Sequence, residues 1–472
     1  MTARGTTDGA AKAPRRSRKR GRTAEQIGRT AAGPRPLPAL APMKVARPPR
    51  TMTTILDSGL TVVAVRKPGT PMVEVRLRIP FGGSTPVHSA RAELLAATVL
   101  LGTGSRDRRE VDAELASVGG HLDASVDPQR LLLAGSVLAP GLDLLLDVLA
   151  DSLTDPAYRR RDVAGERDRL VEHLLISAAQ PSVVARMHLQ RTRFGDHPAG
   201  RDLPDPDLVL EVGPAAVRGL HRRAVVPAGS TLVLVGDLSP ARASEAAAAA
   251  LGGWTGRGAA AELAAPPAIS GGPVRLFDRA GAVQSQVRLT AAAVSRDAPD
   301  YPALQLANLI YGGYFSSRLV ENIREDKGYT YSAGSAVEFW PGTAALTVSF
   351  DTTSPSTAAA LLEARYELGR LALAAPTDAE VDSARNYALG TLATSLSTQA
   401  GYASTLSALA GFRLGGDWLR AHAQRLAAVT TEQVAAAAAQ WLAPARFTGV
   451  VVGDLAAVGG SLAALGGVEP GP

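Results

Sequence analysis

The chain has 472 residues, 46% of them hydrophobic and 20% charged, and contains no cysteine. That length and balance fit a globular protein of two or more domains, and the missing cysteines exclude disulfides, thiolate zinc sites and iron–sulfur clusters. The pI of about 9.7 arises at one end. Residues 1–50 hold 13 Lys and Arg against Asp8 and Glu25, a net of +11, so with +6 overall the rest of the chain carries −5. A mildly acidic body gives no basis for specific nucleic-acid binding.

Residues 1–51, with the run "PRRSRKRGR" and many Pro, Gly and Ala, lack the apolar content to fold and are expected to form a disordered basic tail. Arg15 and Arg16 are followed by further charge and not by an apolar stretch, so no secretory signal is expected. No run of 18 apolar residues occurs, so no membrane span is expected, and the expected location is cytoplasmic. The alternation of Val73, Val75, Leu77 and Ile79 predicts a strand, followed by helices over about 86–101 and 108–118. Two strands within 121–138 pair across a turn at Asp127-Pro128. A helix over 141–153 carries Leu142, Leu144, Leu145, Val148 and Leu149, and a strand at 231–236 closes the unit.

The chain then repeats itself. "STLVLVGDLSP" (230–240) returns as "FTGVVVGDLAA" (447–457), "VEVRLRI" (73–79) as "SQVRLTA" (285–291), and "LASVGGHLDAS" (115–125) as "IREDKGYTYSAGS" (323–335). The offsets are 217, 212 and 208 residues, in one order, which predicts two copies of one unit. The expected organisation is a tail at 1–51, one repeat at 52–260, a linker at 261–272, a second repeat at 273–460 and a flexible tail at 461–472. The fold class is α+β: two homologous layered sandwiches, each an antiparallel-rich sheet with helices packed on it, together forming half of a clamshell. The Ala-, Gly- and Pro-rich linker is expected to let the halves move.

Several stretches resemble the insulinase-like (pitrilysin, or processing-peptidase) family, in the family's order. They are "TTILDSGLTVVAV", "FGGSTPV…LLGTGSRDRREVDAELASVGGHLDAS", "FGDHPAGRDL", "VPAGSTLVLVGDL" and "YFSSRLVENIREDKGYTYSAGS", which together span about residues 52–460. The resemblance implies a zinc peptidase with the motif His-x-x-Glu-His on one helix, a general-base Glu between the ligands, and a third ligand on a later helix. Counted back from Gly102-Thr103, that motif falls on Glu93, Leu94, Leu95, Ala96 and Ala97. Both imidazoles and the base are replaced, at Glu93, Ala96 and Ala97. The third ligand position aligns with His173, with Glu166 and Glu172 nearby. None of the seven histidines forms an HExxH, HxxEH or HxxxH pair, and an alignment on His88 fails at Arg91 and Ala92. No metal site is therefore expected in this chain, and Glu93 and His173 read as ordinary helix-surface residues.

By the same resemblance, an Arg and a Tyr seven residues apart in the second half grip substrate, and Arg324 and Tyr331 match them. A phenol aimed at a developing oxyanion and a guanidinium fork on a peptide carbonyl are sensible chemistry. Tyr329, two residues away, is a rival that periodicity alone does not eliminate, and the choice of Tyr331 rests on the family spacing. Gly328 fits a tight turn before that strand. A lost HxxEH with a kept Arg–Tyr pair resembles the non-catalytic partner of the family's bacterial heterodimers. The implied function is a substrate-binding or regulatory subunit, inactive alone. Its partner is an HxxEH-containing catalytic chain carrying the zinc, as a heterodimer or with a second copy as a homodimer, and the substrate is a peptide or unfolded protein. The alternatives are a structural or binding protein on the same fold and a residual metalloenzyme using Glu93, Glu166 and His173. The Gly-rich insertion of the inactive mitochondrial subunit has no counterpart here, where "YGGYFSSR" (311–318) stands.

Overall fold

A computed structural model describes residues 48–256 and 258–471. In the first half the strands are β1 (Arg50–Ile55), β2 (Thr61–Arg66), β3 (Met72–Pro80), β4 (His121–Asp127), β5 (Arg130–Leu138) and β6 (Thr231–Gly236). Strict alternation along β3 buries Val73, Val75, Leu77 and Ile79 and turns Glu74, Arg76 and Arg78 to the opposite face. The helices are α1 (Pro86–Thr98), α2 (Arg108–Ser117), α3 (Leu142–Thr154), α4 (Arg160–Ala178), α5 (Pro181–Phe194), α6 (Pro206–Leu210), α7 (Pro214–Ala224) and α8 (Pro240–Leu251). Local chemistry sets their starts. Thr85 caps α1 by accepting from the His88 amide, with Pro86 at the first position, and Asp107 and Glu110 form a reciprocal capping box on α2.

The second half runs β7 (Val274–Asp278), β8 (Gln284–Ala293), α9 (Tyr301–Asn308), α10 (Arg318–Val320), β9 (Thr330–Trp340), β10 (Thr343–Thr353), α11 (Thr357–Leu373) and α12 (Asp378–Ser395). It continues with α13 (Gln399–Ala410), α14 (Gly416–Ala428), α15 (Thr431–Trp441), β11 (Thr448–Gly453), α16 (Leu455–Ala464) and β12 (Val468–Pro470). The sheets are ordered β1-β2-β6-β3-β5-β4 and β12-β7-β11-β8-β10-β9. Apart from the first strand of each, the orders are identical under the sequence repeat. The fold is therefore α+β with two homologous halves, each sheet covered by helices over a continuous apolar core.

The repeat extends to register and to side chains. Val75 stands opposite Leu234 as Val287 stands opposite Val451. Arg76 donates to the carbonyls of Val75 and Gly135 and to Glu74. Its counterpart Arg288 donates to the carbonyls of Val287 and Phe350 and to Gln286.

Two boundary expectations change. β1 starts at Arg50, so a tail ending at residue 51 would cut into a strand, while residues 1–47 lie outside the described residues. The stretch expected as a flexible tail at 461–472 instead completes α16 and supplies β12, which extends the second sheet beside β7. Short segments of Gly and Ala gave no periodicity to read there, and the sheet edge supplies the partner.

Residues 261–272 hold no helix or strand, but they are tied down. Ala261 bridges Phe81, His197 meets the Ala264 carbonyl, and Ile269 is buried with Phe194 and Ala345. The halves also exchange helices. α5 packs on β8 and β11 of the second sheet, and α13 packs on β3 and β6 of the first. Val65, Val233 and Val235 meet Tyr402, Ala403, Leu406 and Leu409 in a core shared by both halves. Arg193 of α5, its side chain 1% exposed, donates to Thr290 and Thr347 and pairs with Glu338 at 2.6 Å. Gln399 of α13 donates to the carbonyls of Lys67 and Thr70. Relative motion about the linker would expose these clusters, so the expected hinge is replaced by an interlock. Among the described residues no helix is long and apolar enough to cross a membrane.

Candidate functional site

The two places singled out by sequence have opposite characters. On α1, Ala96 is buried, Ala97 is exposed and Glu93 is half-buried. Glu93 makes no hydrogen bond or ion pair among the described residues, and burial, helped by the negative charge of Asp127, pushes its carboxyl up to about 7. The expectation of an ordinary exposed or salt-bridged residue is therefore wrong, because α1 packs against β4 and removes water from this position. His173, on α4, is exposed and 3.4 Å from the Ser177 hydroxyl. Glu166 is held by Arg169 and Arg108. The residues present do not fit a zinc ion: a carboxyl near neutrality, two alanines and an exposed imidazole offer no converging set. Among the described residues no group of three or more His, Cys, Asp or Glu could hold a metal.

The buried carboxyl has a measurable consequence. Unfolded, the Glu93 group ionises near 4.5, and folded near 7. Between those values the folded state holds more protons, so stability falls as pH rises through the window and then levels off. Glu93→Gln is expected to remove that decline, leaving the variant about 2–3 kcal/mol more stable than wild type at pH 8 and equal at pH 4. Urea unfolding at both pH values checks this, and equal stability at pH 8 would refute it.

At the second place the side chains are anchored from behind. After α10 the chain widens into a π-helical turn, Glu321–Asp326. Buried Ile323 fixes it to the core, Asn322 donates to Glu363 and Glu367, and Arg318 clasps Glu380 with two bonds of 2.7 and 3.0 Å. That clasp holds the Glu380 carboxyl down at about 2. Gly328, at φ +63°, then turns the chain into β9. Arg324 is half-buried, its guanidinium 5.3 Å from the Tyr331 ring centre and 4.6 Å from that of Phe315, with Glu325 at 3.2 Å.

Tyr331 is 88% exposed and Phe315 61%, so neither serves the core. Tyr329 packs against the second core instead. Tyr329 lies just before β9, and Tyr331 sits where the strand is irregular, Phe350 pairing with Ala333 and Thr352 with Thr330, so the two tyrosines do not share the face that a regular extended chain would give them. The structure places Arg324 and Tyr331 side by side. Sequence reasoning missed Phe315, whose signal was an aromatic left in the polar run "YFSSR". Gly312 and Gly313 end a π-helical turn before extended Tyr314, where a Cβ on Gly312 would strike the Ser335 hydroxyl.

Comparison with known proteins places this geometry. Residues 61–207 match the family model described as insulinase (peptidase family M16), and residues 212–387 match that of the peptidase M16 inactive domain. An uncharacterized zinc protease of Mycobacterium leprae is 26% identical over 65% of this chain and 70% of its own length. One from Streptomyces coelicolor is 25% identical over 60% and 63%. A probable mitochondrial-processing peptidase subunit beta of Arabidopsis thaliana is 28% identical over 34% of this chain and 30% of its own. A crystal structure of a peptidase M16 inactive domain from Pseudomonas fluorescens superposes with a TM-score of 0.78 at 22% identity, covering 86% of this chain and 98% of that one. A protease from Helicobacter pylori gives 0.78 at 16%, covering 86% and 99%. At those identities the structures speak for the fold alone. Two consecutive models of one family, the shared fold and the motifs together show that the chain belongs to the insulinase (M16) peptidase family, as a member without the HxxEH motif.

Proposed function

We propose that this chain is the non-catalytic, substrate-binding or regulatory subunit of an insulinase-like zinc metalloendopeptidase, and that it lends Arg324 and Tyr331 to a partner's active site. The observation that carries the reading is the asymmetry between the two places. The metal position holds Glu93, Ala96, Ala97 and His173, with no group of three possible ligands among the described residues, while Arg324 is anchored from behind beside a solvent-facing Tyr331. A chain that had simply lost its activity would have little reason to keep an exposed phenol stacked on a half-buried guanidinium. In this reading the partner supplies zinc, the base and two imidazoles, and this chain supplies donors for the carbonyl oxygen and walls the chamber around a peptide or unfolded substrate. Relatives that carry the names of zinc proteases and of a processing-peptidase subunit support a peptidase setting. The proposed location is the cytoplasm.

Co-purification from the native host tests the pairing, followed by elemental analysis and peptide cleavage. The expected result is an HxxEH-containing partner, one zinc per pair, and cleavage by the pair but not by this chain alone. Near-stoichiometric zinc in the isolated chain, or cleavage by it alone, would sink the proposal.

A further inference from the structure

A cavity of about 1200 Å³ lies between the outer face of the first sheet, the end of α13 and the tip of the β9–β10 hairpin. Two arginines line it. Arg78 packs on the turn after α13, where a Cβ on Gly411 would come within 2.6 Å of its guanidinium carbon. Arg296, beyond β8, lies 3.9 Å from the ring centre of Phe339 and 5.5 Å from that of Phe412. Its Nε is buried and has no hydrogen-bond partner among the described residues. Gly411 and Phe412 are adjacent, so one turn brings both cations to one wall. Burial lowers the Arg78 group to about 10 and lowers Arg296 as well, and at neutral pH both stay charged.

The internal repeat shows what Arg78 lacks. Through the paired strands Arg78 corresponds to Thr290, and Asp127 corresponds to Glu338. In the second half the buried cation at this place is Arg193, and Glu338 neutralises it. In the first half Asp127 is occupied by the Arg130 side chain and by the amides of Gln129 and Arg130. The acids on the cavity wall are engaged elsewhere or set apart: Glu262 faces Arg413, Asp297 accepts from Ser295, and Asp417 lies beside Tyr402. Neither Arg78 nor Arg296 has an acid in ion-pair contact among the described residues. A half-buried cation without its acid costs stability, which an external anion would recover.

We infer that this cavity binds the free C-terminal carboxylate of a peptide ending in an apolar residue, gripped by Arg78 and Arg296. Two guanidinium forks suit a planar carboxylate, and Phe339, Trp340, Phe412 and Leu406 supply apolar walls for the last side chain. The volume exceeds what an inorganic anion needs and reaches the upper end of small-molecule sites, enough for the final residues of a peptide. The site lies apart from Arg324 and Tyr331, and it stands or falls independently of any partner.

The test uses the isolated full chain and an N-acetylated tetrapeptide ending in Phe, as the free acid and as the C-terminal amide, by titration calorimetry. The expected result is one acid peptide bound per chain, at least about tenfold tighter than the amide, a difference of about 1.4 kcal/mol. Arg78→Met and Arg296→Met should each abolish that preference, while Arg446→Met, at an exposed arginine outside the cavity lining, keeps it. Should Arg78→Met fail to fold, the acid-against-amide comparison on wild type and the Arg296→Met protein still decide. Equal affinity for acid and amide, no binding of the acid at millimolar concentration, or an unchanged preference in Arg296→Met would overturn the inference.

Discussion

Glu338→Gln should unfold with roughly 2 kcal/mol less stability than wild type, because Arg193 is buried although Glu338 itself is 38% exposed. Glu338 is the acid for Arg193, which leaves the first half on α5 and is buried against the second sheet. The glutamine keeps the volume and a hydrogen-bond acceptor, but it leaves a full positive charge in a place where water cannot reach it. The exposed pair Arg413–Glu262 is the internal control. Both of its side chains are more than half exposed, so Glu262→Gln should change stability by less than about 1 kcal/mol. Urea unfolding followed by far-ultraviolet circular dichroism measures both. Because each sheet is covered by a helix from the other half, Glu338→Gln should shift one cooperative transition and not split it in two. Equal effects for the two variants would mean that Arg193 is reached by solvent and that the interlock is weak. Adding Arg193→Met to Glu338→Gln should restore part of the loss, since the stranded charge goes with it.

In the complex with an HxxEH partner, Arg324→Ala and Tyr331→Phe should each lower kcat by about 10²–10³, the scale for removing one donor to a developing oxyanion. Because Tyr331 faces solvent and half-buried Arg324 pairs, among the described residues, only with its neighbour Glu325, the same substitutions should change the stability of the isolated chain by no more than about 1 kcal/mol. That contrast separates a role in the reaction from a role in the fold. Tyr329→Phe is the matched control, and its ring packs against the second core. Wild-type cleavage by a complex carrying both Arg324→Ala and Tyr331→Phe would show that the pair has been assigned to the wrong chemistry.

The strands were legible because β3 alternates strictly from Val73 to Ile79, and because three stretches of sequence repeat at nearly constant offset. The match of Arg76 with Arg288, down to equivalent acceptors, shows how far the duplication reaches. What could not be read was which sheet a helix covers. Periodicity along α5 or α13 reports an apolar face but not its partner, and the partner here lies in the other half. The same limit hid the environment of Glu93, whose unusual acidity comes from β4 behind it and not from its neighbours in sequence. For Tyr329 and Tyr331 the missing fact was the irregular start of β9, where the pairing with β10 slips between Thr330 and Ala333, a feature that alternation in the sequence does not reveal.

The exchange of α5 and α13 also sets an order of events during synthesis. The first sheet gains its last internal strand, β6, at residue 236, while the helix that covers its outer valines begins at Gln399. Roughly 160 residues separate them, about 8–30 s of translation at ordinary rates of 5–20 residues per second. For that interval Val65, Val233 and Val235 face water on a finished but half-clothed sheet. A ribosome-bound chain stopped after residue 290 should therefore bind hydrophobic-patch chaperones, and one stopped after residue 460, with α13 outside the exit tunnel, should not.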